Sequence, residues 1–398
     1  MRRLASILIT AGLLVAVAGC GDDNTPGGTA EQGPIRIGQI VSLTGNYSPL
    51  GSENKKSVEL AVEQVNAKGG VNGRRIELIV KDDKSQPDQS VLAFNDLRGD
   101  DVAAVIGSPF SNSALATIPL VDREKIPYIS LTPADEQVNP VHPYVFVVPA
   151  TSATYAERML QYFKASGLTK VAVAHDTQSS YAVAGFKGTQ AKAGQYGITL
   201  VATEQFQTSA TDFSAVFNRT RAAGAQALAV WATGAPAVAL TKQFATAKLG
   251  IPLALTGAQA SKLFLDPTGP AAEGVLVSSS IGVVGSYLPD GPQKTAITEL
   301  TTSFQTKYGY PPPQFAQDGY SGVKLLVAAL EKANSTDHAK IQAALEGLTL
   351  LTPNGTYKYS ATDHSGMTTA FISVNTVKSG AFVPTDWAKT ELSTLTGK

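Results

Sequence analysis

Short apolar runs alternate with amphipathic stretches of helical period along most of the chain. Ile35–Leu43 (IRIGQIVSL) alternates and then runs apolar, as a first buried strand does. Thr44–Gly51 has loop composition. In Ser57–Ala67, Val58, Ala61, Val62 and Val65 fall at i, i+3, i+4 and i+7, one apolar helix face, closed by Gly69-Gly70. The pattern then predicts a strand at Arg75–Val80, a helix at Asp88–Leu97, a strand at Val102–Ile106, a helix at Ala114–Glu124, and strands at Pro127–Ser130 and Tyr144–Val148. Strand, loop and helix in repetition predict an α/β fold with a parallel sheet covered on both faces.

A second series follows Pro149-Ala150-Thr151-Ser152. Its strands are predicted at Lys170–Ala174, Ile198–Ala202, Ala227–Trp231, Pro252–Leu255 and Val275–Ser278, with helices between them. Ser279–Gly291 reads as a second crossing. Helices at Thr295–Lys307, Tyr320–Ala333 and Ala339–Leu348 precede strands at Gly355–Tyr359 and Ala370–Val374. Two similar halves with several crossings describe a two-lobed protein with a cleft. The expected division is 34–149 plus 280–352 for lobe 1 and 150–279 plus 353–398 for lobe 2.

Composition narrows the function. With 398 residues the chain exceeds one ordinary core. Its 32 basic and 32 acidic residues balance, which argues against nucleic acid as a partner. The N-terminus carries Arg2 and Arg3, an apolar Leu4–Ala18 and then Cys20, the single cysteine of the chain. That is the pattern of a signal peptide over residues 1–20. Val17-Ala18-Gly19-Cys20 resembles the bacterial lipobox, so Cys20 is the expected site of lipidation and membrane anchoring. Residues 21–33, polar and glycine-rich, form a flexible tether.

Candidate chemistry centres on Val102–Ala116. An apolar strand ends at Gly107, and Ser111-Asn112-Ser113 opens a helix, at a place where open α/β sheets bind ligands. The first amides of such a helix favour an anion. The alternative is that Ser111 caps its own helix. Asp82-Asp83, at a strand end, reads as structural, since adjacent strand residues point apart. Asp318 reads as a helix cap ahead of Tyr320. Tyr47 either reaches the cleft or covers the sheet edge, and Trp231 is either core or a ligand shelf. Four His without metal-ligand spacing, and no nucleophile motif, give no catalytic residue, no metal site and no cofactor.

Several segments together are similar to one family. They are Val65-Asn66-Ala67-Lys68-Gly69-Gly70-Val71-Asn72-Gly73, Asp82-Asp83, Val105-Ile106-Gly107, Ile126-Pro127-Tyr128-Ile129-Ser130, His175-Asp176 and Ala272-Glu273-Gly274. The family is that of the type I periplasmic substrate-binding proteins of branched-chain amino acid (Leu/Ile/Val) ABC transporters. The resemblance covers the chain from about Ile35 onward. It implies two Rossmann-like lobes with parallel-sheet cores, joined by three crossings and closing over a small ligand presented to an ABC permease and ATPase. By position it also implies Ser111, with Asn112 beside it, at the ligand carboxylate. Thr132 and Ala134 fall at the ligand's α-groups, and Tyr181, Trp231 and Thr233 on the second lobe. The family's ammonium-binding acid falls on Gln259, a neutral amide that cannot neutralise a buried cation. A small carboxylate or amide, aliphatic or aromatic, is therefore the expected ligand, with branched-chain amino acids as the other candidates. A monomeric, lipid-anchored, extracytoplasmic receptor is expected. The alternative is a ligand sensor of the same fold that signals through a partner protein.

Overall fold

The computed structural model describes residues 33–395, so the expected signal peptide and lipobox Cys20 lie outside the described residues. In the first half of the chain run β1 (Ile35–Val41), α1 (Ser48–Ala67), β2 (Ile76–Asp82), α2 (Pro87–Gly99), β3 (Ala104–Gly107), α3 (Ser111–Glu124), β4 (Tyr128–Ser130) and β5 (Val145–Val147). All five strands are parallel, in the order β2-β1-β3-β4-β5. β3, β4 and β5 are buried on both faces, which is why they read as unbroken apolar runs rather than alternation.

The second series comprises α4 (Ser152–Ala165), β6 (Lys170–Asp176), α5 (Ser180–Lys192), β7 (Thr199–Phe206), α6 (Ser214–Ala222), β8 (Ala227–Trp231), α7 (Ala235–Ala247), β9 (Leu253–Thr256), α8 (Lys262–Thr268) and β10 (Leu276–Ser280). Then come α9 (Pro292–Tyr308), α10 (Gln314–Ala333), α11 (His338–Glu346), β11 (Thr349–Thr352), β12 (Gly355–Lys358), β13 (Ile372–Lys378), β14 (Ala381–Pro384) and α12 (Asp386–Ser393). The second sheet has the order β14-β13-β10-β9-β8-β6-β7. Its parallel part, β7-β6-β8-β9-β10, repeats the order of the first sheet strand for strand, and β13 and β14 add an antiparallel edge. Each lobe therefore has a switch point, between β1 and β3 in one and between β6 and β8 in the other. At such points the strand ends leave a crevice for a ligand.

Three crossings join the lobes, and the third lies later than the sequence suggests. The expected division at 352/353 falls inside the β11–β12 hairpin. Tyr357 and Tyr359 donate their hydroxyls to the carbonyls of Val148 and Val147, and the Val147 amide donates to the His364 carbonyl at 2.9 Å. These bonds hold the chain beside β5 through His364, and it joins the second sheet only at Ile372.

Other differences are local. α1 starts at Ser48, not Ser57, because Pro49 is well placed in a first helical turn. The expected loop at Thr44–Gly51 is correspondingly shorter. Gly51 there lies so close to Ser42 that a Cβ would stand 1.8 Å from its carbonyl oxygen. α8, β11, β14 and α12 escaped the pattern because each is too short to show a period. One buried cluster runs from Ile37 and Ile106 through Phe146 and Tyr155 to Val173 and Trp231, and each lobe adds a further cluster of its own.

Candidate functional site

The loop after β3 is fixed from below. Gly107 packs on Tyr128, where a Cβ would meet the phenol oxygen at 1.8 Å. Buried Asp83 accepts from Ser42 Oγ and Ser108 Oγ, each at 2.6 Å, tying the ends of β1, β2 and β3 together. Ser108 Oγ in turn accepts from the Phe110 amide at 3.1 Å. Asp82, its neighbour, accepts from the Leu43 and Lys84 amides at 2.8 Å and from the Thr44 hydroxyl, which holds its carboxyl below the ordinary carboxylate range. Both aspartates are structural, as their spacing suggests.

This scaffold presents Ser111 as the first residue of α3, a helix with no side-chain cap and no acidic residue in its first turn. Ser111 does not cap its own helix. Its Oγ faces Thr132 Oγ1 at 2.5 Å. The Thr132 loop is held by Gln137, whose Nε2 donates to the carbonyls of Thr132 at 2.8 Å and Ala134 at 3.0 Å. Two hydroxyls and a helix N-terminus thus converge at one spot, a combination that suits a carboxylate.

Ser111 and Thr132 line a cleft between the lobes, with about 480 Å³ of space between atoms when the open solvent at its mouth is included. Tyr47 forms one wall, stacked on Phe110 at 4.1 Å between ring centres, with its hydroxyl in reach of Ser179. Burial pushes the Tyr47 phenol up to about 12. From the second lobe come Ser179 and Tyr181 at the start of α5, and Thr233 after β8. Tyr181 hydrogen-bonds Thr256 and meets Trp231 edge-on. Of the expected ligand contacts, Tyr47, Ser111, Thr132, Tyr181 and Thr233 line this one cleft.

The other four do not line it. Asn112 spans the lobes: its Oδ1 accepts from the Ser180 amide at 2.9 Å and its Nδ2 donates to the Gln178 carbonyl at 3.0 Å. Ala134 is fully buried, with its carbonyl turned to Gln137. The Trp231 indole lies beneath Gly185, donates to Thr189 Oγ1 at 3.1 Å and belongs to the core. Gln259 caps the turn after β9, accepting from the Thr256 amide at 3.3 Å and donating to the Ala232 carbonyl at 2.9 Å. Both ends of its amide are committed to the fold. His175 stacks on Phe186, and burial lowers its pKa.

Sequence reasoning missed the wall contributed by α10. That helix begins at Gln314, well before Tyr320, so Asp318 is interior to it rather than a cap. Gln314, Phe315 and Asp318 all line the cleft. The available signal was the i, i+4 spacing of Gln314 and Asp318, which sets both on one side of a helix. The Gln314 amide meets the Tyr155 hydroxyl from α4.

A two-lobed α/β fold with its polar groups gathered at paired switch points defines a binding protein for small molecules. The chain matches the sequence profile described as Periplasmic binding protein over residues 34–380, and it belongs to that family. The family is one of extracytoplasmic binding proteins, not enzymes, and no described helix is long and apolar enough to cross a membrane. It is 27% identical over 339 residues to the Leu/Ile/Val-binding protein homolog 3 of Brucella melitensis, covering 84% of this chain and 89% of that one. A type 1 periplasmic binding protein from Bordetella pertussis superposes with a TM-score of 0.79 at 28% identity, covering 88% of this chain and all of that one. A solute-binding protein of an ABC transporter from Rhodopseudomonas palustris, solved with benzoate, gives 0.77 at 22% identity over 88% of this chain and 95% of that one. A Thermotoga maritima leucine-binding protein gives 0.78 at 20% over 88% and 97%. The last two likenesses are of fold.

Proposed function

We propose that this protein is the lipid-anchored solute receptor of an ABC importer, and that it takes a small carboxylate-bearing or amide ligand between its lobes. The Ser111–Thr132 hydroxyl pair at the N-terminus of α3 carries this reading. It supplies a carboxylate site in a cleft otherwise walled by Leu50, Phe110, Leu131 and Phe315. Contacts from both lobes on one ligand favour the closed arrangement, which is the state a permease can distinguish. Cys20 is the proposed anchor.

The relatives divide on ligand: one is named for leucine, isoleucine and valine, and one was solved with benzoate. Gln259 favours a ligand without an α-ammonium here, because its amide is occupied in the fold. The test is calorimetric titration of ligand-stripped protein with branched-chain amino acids and with aromatic and aliphatic acids. Binding of acids, and its loss in Ser111→Ala, supports the reading. Tight leucine binding with no acid bound overturns the ligand class. Mass spectrometry of the mature N-terminus, showing a diacylated Cys20 or an unmodified one, decides the anchor.

A further inference from the structure

The cleft is lined by one ionisable carboxyl and by no Lys, Arg or His. That carboxyl is Asp318, only 1% exposed, on the α10 wall beside Phe315. Among the described residues one donor reaches it: Asn354 Nδ2, in the turn between β11 and β12, at 2.7 Å from Oδ1. An ionised carboxylate can accept about four hydrogen bonds, and with one it is poorly compensated. Among the described residues, no positive charge acts on it. Tyr155 on α4 and Tyr357 on β12 are the titratable groups that feel it, and burial raises both well above the ordinary phenol range. On α1, packed along α10, Glu53 and Lys56 are joined to each other and to Tyr310. Burial pushes the Asp318 carboxyl up to about 8.

A carboxylate bound at Ser111 and Thr132 adds a second negative charge to this enclosure. Two like charges there oppose each other, and a neutral carboxyl removes the conflict while offering an O–H to donate. Resting on the carboxylate reading given above, we propose that Asp318 is a specificity-determining residue. In its neutral acid form it hydrogen-bonds a hydroxyl or carbonyl group of an anionic ligand. The ligand class is thereby narrowed to small hydroxy- or oxo-acids that carry one negative charge. Such a ligand binds fully while Asp318 keeps its proton, and its affinity falls about tenfold per pH unit once the carboxyl titrates.

The experiment titrates ligand-stripped protein by calorimetry with benzoate, 3- and 4-hydroxybenzoate, 4-methyl-2-oxopentanoate and leucine, at about pH 6.5 and about pH 9. Wild type, Asp318→Asn and Ser111→Ala are compared, with circular dichroism to confirm that each is folded. The expected result is a hydroxy- or oxo-acid as the tightest ligand, weakened about tenfold or more at the higher pH in wild type and pH-independent in Asp318→Asn. Ser111→Ala weakens every acid at both pH values. Affinity that is flat with pH in wild type, with Ser111→Ala still damaging, overturns the role of Asp318 and leaves the carboxylate site standing. Affinity that rises with pH, or a preference for leucine, makes Asp318 an ionised counter-charge and overturns the proposal. No acid bound, or no effect of Ser111→Ala, overturns the carboxylate reading and this inference together.

Discussion

Ser111 Oγ and Thr132 Oγ1 face each other at 2.5 Å although one opens the helix after β3 and the other follows β4. Each hydroxyl satisfies its neighbour, so the fold keeps two buried polar groups where a ligand oxygen can replace either contact. Ser111→Ala is expected to weaken ligand binding about tenfold to a hundredfold, and Thr132→Val by a similar factor. The double variant should lose less than the product of the two, because the hydroxyls act as a pair. Either single change leaves one buried hydroxyl without its partner and should lower stability by about 1 kcal/mol, read from urea unfolding.

Asn112 joins the lobes through both ends of its amide, to the Ser180 amide and the Gln178 carbonyl. These bonds exist only while the lobes are together, so they add to the closed state and not to the open one. Asn112→Ala should speed ligand dissociation several-fold in stopped-flow measurements, with little change in the melting temperature of the ligand-free protein. Unchanged dissociation would mean that the bonds do not contribute to closure.

Trp231 separates what the chain pattern could reveal from what it could not. Ala227–Trp231 reads correctly as a strand, because a buried parallel strand is a short apolar run. Which way its last side chain turns depends on Gly185, 46 residues earlier, whose missing side chain opens the space the indole fills. Gly185→Ala would set a Cβ 2.0 Å from the ring and should unfold the second lobe at lower denaturant than wild type. Trp231→Phe should cost roughly 1–3 kcal/mol of stability while leaving affinity within about twofold. The Ser111 loop after β3 was legible for a similar reason: a strand end and a helix start are local. Asp318 was not, because its role depends on α10 beginning at Gln314 and on Asn354 arriving from a hairpin. The third crossing was misplaced because two tyrosine hydroxyls and a backbone bond, all long-range, decide it.

Asp83 carries the floor of the site. It accepts from serines at the ends of β1 and β3, and both are fully buried. Asp83→Ala strips an acceptor from each and is expected to cost about 3 kcal/mol, with a parallel loss of affinity as the Ser108–Ser111 loop relaxes. Asp83→Asn keeps one acceptor oxygen and should fall between the two proteins in a chemical denaturation series.

Asp318 and Asp135 tie stability to pH in the same direction. Burial raises Asp318 from an ordinary value of 3.8 to about 8, and raises Asp135, which accepts from the Ala153 amide at the start of α4, from 3.8 to about 6. A carboxyl whose pKa is higher in the folded state binds its proton more tightly there. Its contribution is complete below the unfolded value and is lost as pH climbs through the folded one. These two carboxyls should therefore withdraw stability from about pH 4 to about pH 8, the upper half of that window belonging to Asp318, while His175, whose pKa burial lowers, gives an opposing gain as pH rises towards the ordinary imidazole value. The full loss from Asp318 is at most about 6 kcal/mol at 1.4 kcal/mol per unit. Asp318→Asn has no such proton to give up. Its unfolding midpoint should lie near that of wild type at about pH 4 and clearly above it at about pH 8, a divergence that urea titrations across the range will show. Parallel curves for the two proteins would mean that Asp318 ionises in the folded state as easily as in the unfolded chain.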